Sequence, residues 1–122
     1  MAVLVAPSAQ ACSHKPKQLS FEEARESSKV VVRGELSFVF HADPDNAKPG
    51  EAWLTGDIAA QEVTKGDLAP AYKIKHDFLA FWCRGTGWEP DPAQPGRTYV
   101  GEFLLWRASD HNEYIILGYR PE

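Results

Sequence analysis

This 122-residue chain has little cysteine, no excess of positive charge and no long apolar run, and each shortage closes off a class of function. Thirteen Lys and Arg stand against seventeen Asp and Glu, a formal net charge of -4. The acids are spread through Glu22, Glu23, Glu26, Asp43, Asp45, Glu89 and Asp91. Such a surface offers no electrostatic hold on phosphates, which excludes nucleic acid and anionic membrane as expected partners. The apolar opening from Ala2 to Ala6 is far too short to cross a bilayer, so no transmembrane segment is expected. No Gly-x-Ser-x-Gly elbow and no Cys-x-x-Cys pair occurs, so neither a hydrolase nucleophile nor a paired thiolate zinc site is announced. His41 with Asp43, His76 with Asp77 and Asp110 with His111 do set acids beside histidines. Neighbours on a strand point to opposite faces, however, so His76 and Asp77 are not expected to meet. The chain therefore reads as a non-enzymatic protein. With 43% hydrophobic and 25% charged residues it fits one domain with a core of its own, and a monomer is expected.

The two cysteines that are present, Cys12 and Cys83, are the most informative residues. Pro7-Ser8-Ala9-Gln10-Ala11 ends immediately before the first, and small residues at Ala9 and Ala11 are what signal peptidase accepts. Residues 1–11 are thus read as the tail of a signal peptide or a disordered terminus, and the working domain as residues 12–122. Export places the protein in the secreted or cell-envelope, periplasmic compartment, where a disulfide persists. The competing reading makes Met1 the true start and residues 1–11 a frayed end. Both cysteines then stay reduced, and Cys83 becomes a free thiol with nucleophilic capacity. A third reading attaches a lipid anchor at Cys12. Ala11 satisfies its need for a small preceding residue, while Ala9 stands where a leucine is usual.

Ser20 followed by Glu23 forms a capping-box pattern and predicts a short helix from about Phe21 to Ser27, with Phe21 and Ala24 on its buried side. From Lys29 the pattern changes to strands. Val30-Val31-Val32 is β-branched, and after Gly34 the residues Leu36, Phe38 and Phe40 alternate with Glu35, Ser37 and Val39. Gly34 within this run predicts a bulge that lets the strand curl. A second strand is expected over about Ala52 to Val63, before a turn at Lys65-Gly66-Asp67. Tyr72, Ile74, His76 and Phe78 alternate with Lys73, Lys75 and Asp77 in a third, and strands at about Thr98 to Trp106 and Tyr114 to Tyr119 follow. One helix and five strands without βαβ alternation predict an all-β protein, a five-stranded OB-fold Greek-key barrel with a short N-terminal helix.

The order of these parts resembles the netrin-like domain family, which includes the tissue inhibitors of metalloproteinases. The matching pieces are Cys12-Ser13-His14-Lys15-Pro16, the helix from Phe21, Val30-Val31-Val32-Arg33-Gly34, Val63-Thr64-Lys65-Gly66-Asp67, Cys83 and Gly96-Arg97-Thr98-Tyr99. The resemblance implies a Cys12–Cys83 disulfide, which the loop-closure estimate puts at about 4 kcal/mol at most. It also implies a protein partner. In the inhibitors the terminal cysteine's amine and carbonyl occupy the open positions of a catalytic zinc, so Cys12 would chelate, Ser13 would enter the specificity pocket and Cys83 would anchor. This chain departs from the family at His14, where a second cysteine is usual, so one of two expected disulfides is absent.

Three further readings stand beside a binding module of unknown partner. The first is metalloprotease inhibition as just described. The second is a Cu(II) or Ni(II) site: a terminal Cys12-Ser13-His14 supplies an amine, two backbone amides and an imidazole in a square-planar arrangement. No resident cofactor is otherwise expected. The third is an aromatic face of Trp82, Trp88, Tyr72 and Trp106, suited to an uncharged ligand or a protein. Of these, Trp88, in a proline-rich loop, is the expected exposed contact. The inhibitor reading carries its own check: one residue added ahead of Cys12 displaces the amine and abolishes inhibition of a metalloprotease, and unchanged inhibition would refute chelation.

Overall fold

Ser20 caps a short helix in the computed structural model, which describes residues 19–41, 52–77, 85–91, 93–94, 96–107 and 113–122. Its hydroxyl accepts the Glu23 N–H at 3.1 Å, and the Glu23 carboxylate accepts the Ser20 N–H at 2.9 Å, the reciprocal box expected of these residues. Helix α1 (Phe21–Ser27) has seven residues, too few to persist alone. Lys65 donates to the carbonyls of Arg25 and Glu26 at 3.1 and 3.2 Å, placing a cation at the negative end of the helix dipole.

Five strands follow: β1 (Val30–Phe40), β2 (Ala52–Lys65), β3 (Ala71–Asp77), β4 (Tyr99–Arg107) and β5 (Glu113–Pro121). They close in the order β1-β2-β3-β5-β4, antiparallel at every junction except the parallel β3–β5 seam. This is the all-β, five-stranded OB-type barrel that the strand pattern predicts. The strand limits extend one or two residues past several of the expected ones, as element ends commonly do.

Alternation decides what lies inside. Leu36 and Phe38 point into the barrel while Glu35, Ser37 and Val39 face water, and Leu54, Ile58, Tyr72, Ile74 and Phe103 complete the interior from the other strands. Val30, Val31 and Val32 break the alternation because all three are buried. Here the outer face of the barrel is covered as well: Val31 packs with Ala24 of α1, Leu104, Ile115 and Leu117 in a second apolar cluster bordered by Leu19, Phe21 and Trp106. A β-branched run is what a strand buried on both faces requires.

Glu102 fixes the helix to this outer face. Its Oε1 accepts from Arg25 at 2.8 Å and from Arg120 at 2.7 Å, and both guanidiniums lie against the Phe21 ring, 5.4 and 4.4 Å from its centre. The carboxylate is largely buried, so the two charge-assisted bonds do more than an exposed pair would. Among the described residues no helix is long and apolar enough to cross a membrane.

Barrel closure depends on tight coiling of β1 about β2. The register shifts between Arg33 and Gly34, the bulge expected there. A Cβ built on Gly34 would overlap the Ala59 carbonyl oxygen, and one on Gly56 would overlap the Ser37 carbonyl oxygen. Backbone rather than a movable side chain occupies both spaces. Gly56→Ala is therefore expected to lower stability by about 1–3 kcal/mol, read as a drop in the urea midpoint at constant slope. A midpoint equal to that of the parent protein would show that the strands have room to part.

Candidate functional site

The chain ahead of α1 enters beside the connection between β3 and β4. Leu19 N–H donates to the Gly85 carbonyl at 2.9 Å, and the next residue, Thr86, donates its N–H to the Leu117 carbonyl of β5 at 2.7 Å. Gly85 makes this approach feasible in two ways. Its φ of 76° is left-handed, and a Cβ there would overlap the Leu117 carbonyl oxygen. Residues 85–86 thus form a strap between the arm leading into α1 and the last strand of the barrel.

Beyond the strap the connection lies over one end of the core. Trp88 is half-buried, with its ring edge-to-face on Tyr99 at 5.3 Å and tilted against Tyr119 at 4.8 Å, and Pro90 is fully buried. The Asp91 N–H donates to the Tyr99 hydroxyl at 2.9 Å and holds the far end of the segment. Trp88, the candidate for an exposed contact, is thus packed on one side by its own domain and keeps part of its ring at the surface. The proline-rich surroundings hid the aromatic partners, which come from β4 and β5.

Cys12, Ser13, His14 and Cys83 lie outside the described residues, as do Trp82, Phe78, Asp43, Asp110 and His111. Among the described aromatic candidates, Tyr72 and Trp88 pack with the inner core and Trp106 at the helix cluster, so these three do not share one exposed face. Tyr72 is inside the barrel, its hydroxyl donating to the Asp67 carbonyl. Trp106 packs at the helix cluster on the outer face, with the Lys29 ammonium 5.1 Å above its ring. Among the described residues no group of three or more His, Cys, Asp or Glu is placed to hold a metal ion. His41 reaches the Thr55 hydroxyl at 2.6 Å, a contact between neighbouring strands at the surface.

His76 is on the inward face of β3, as the alternation predicts, but its role was not legible there. It is 1% exposed, and its Nδ1 accepts the Ile116 backbone N–H at 3.1 Å. An accepting Nδ1 carries no proton, so the neutral ring holds its proton on Nε2. Burial disfavours the imidazolium and pulls the pKa down from 6.5 to about 4.

The sign of the resulting pH dependence follows. The unfolded chain binds a proton at His76 below about pH 6.5, whereas the folded chain resists it until about pH 4. The stabilisation is complete above pH 6.5 and is lost as pH falls from 6.5 towards 4, a total of about 3 kcal/mol. Urea unfolding at pH 7 and pH 4.5 should show most of this loss, and His76→Asn, which retains an acceptor but does not titrate, should remove this part of it. An equal loss in the variant would assign the acid sensitivity elsewhere. No family model, no curated protein and no solved structure matches this chain, so its functional reading rests on its own residues.

Proposed function

We propose that the protein is a non-enzymatic binding domain of netrin-like type that works outside the cytoplasm and meets a protein partner along the edge formed by its N-terminal arm and the segment following Cys83. The observation that carries this reading is the Leu19–Gly85 hydrogen bond. It docks the arm onto backbone two residues beyond Cys83. Cys12 lies seven positions ahead of Leu19, a reach of about 24 Å when extended, so the arm is long enough to bring Cys12 back to Cys83.

A bridge between them would add a covalent hold at the place where the hydrogen bond already directs the chain. The partly exposed edge of Trp88, three residues beyond Gly85, belongs to the same surface. Aromatic residues that are half-buried by their own domain contribute area to a partner without a large loss of side-chain freedom.

The intact mass of the protein, exported from its native precursor and measured before and after reduction, tests the reading. A species that begins at Cys12 and gains two hydrogens on reduction is the expected result. A species that retains Met1 with two free thiols would overturn both the compartment and the anchored arm, and a lipid adduct at Cys12 would replace a soluble domain by a tethered one.

A further inference from the structure

One edge of β5 changes partner repeatedly within five residues. Glu113 and Tyr114 pair with Lys73 and Ile74 of β3, the two register pairs of that seam among the described residues. At Ile116 the N–H turns instead to the imidazole of His76, at 3.1 Å. At Leu117 the carbonyl takes the Thr86 N–H at 2.7 Å, and the adjoining Gly85 carbonyl takes the Leu19 N–H at 2.9 Å. The β1–β2 pair, by contrast, runs through ten register positions.

Among the described residues the seam is thus the line with the least backbone pairing in the barrel. Its central link is made by a side chain rather than by backbone, and its last link by a strap that belongs to neither strand. Local opening in proteins follows the elements with the fewest such bonds, at free energies below that of global unfolding. We propose that the β3–β5 seam is the line along which this barrel opens, that the His76 imidazole is its clasp, and that the 85–86 strap and Leu19 are released in the same event. Docking of the N-terminal arm is then coupled to closure of the barrel two links away, through Gly85–Thr86 and Leu117. This inference concerns residues 19 to 117 and stands or falls independently of any partner.

Amide hydrogen exchange of the full chain by NMR at pH 7, across low urea concentrations, tests it. The Ile116, Thr86 and Leu19 amides should exchange through a common opening with a shallow urea dependence. After correction for intrinsic rates they should be at least tenfold faster than the protected amides of β1 and β2, which exchange by global unfolding. His76→Leu should accelerate the three together at least tenfold, and His76→Asn, which keeps an acceptor, should return them towards the parent rates. Val32→Ala, which weakens the β1 side of the core, should speed the β1 and β2 amides and leave these three unchanged. If the three share the steep urea dependence and rates of β1, the seam does not open by itself. That result needs no variant to fold. Acceleration of Ile116 in His76→Leu with Leu19 unchanged would overturn the coupling to the arm.

Discussion

A sheet of five strands closes on itself only if its longest pair coils hard, and here that coil rests on two glycines facing the opposite strand's carbonyls. Gly34 gives Ala59 its place and Gly56 gives Ser37 its place. The coil carries the far ends of β1 and β2 round so that β4 can pair with one and β3 with the other. Everything that follows depends on this: the enclosed core, the outer face on which α1 rests, and the narrow seam where β3 and β5 meet.

Closure leaves the barrel with two unlike surfaces. On the β1–β4–β5 side a second apolar layer forms under α1, and Glu102 gathers Arg25 and Arg120 over it around Phe21. A seven-residue helix has too little intrinsic stability to define its own position, so tertiary contacts to β4 and β5 define it. The position of the helix in turn sets where Leu19, just ahead of it, meets Gly85. Capping, ion pairing and strap are successive parts of one arrangement that holds the arm.

Local rules made most of the fold readable. The Ser20–Glu23 box, the alternation from Leu36 to Phe40, the bulge at Gly34 and the turn at Gly66 each express a preference satisfied within a few residues. What the sequence concealed depends on pairs far apart in the chain. Glu102 and Arg25 are separated by 77 positions, and His76 and Ile116 by 40. No periodicity marks an imidazole that replaces a rung of a sheet, and inward alternation alone classes His76 with its apolar neighbours. The packing of Trp88 was concealed for the same reason, since its sequence surroundings are loop-like and its partners come from strands later in the chain. The proposed terminal residues differ again: Cys12, Ser13, His14 and Cys83 carry a chemical pattern in the sequence but fall outside the described residues.

The strand order also bears on how the chain can fold. β5 is the fifth strand to be made, yet it pairs with both β4 and β3 and is the element that seals the cylinder. Until it emerges, the first four strands form at most an open sheet with two unsatisfied edges, and Ile115 and Leu117 are missing from beneath α1. Non-local pairing of this kind delays the cooperative step. A growing chain of this design therefore stays pliable until β5 is available to close the cylinder.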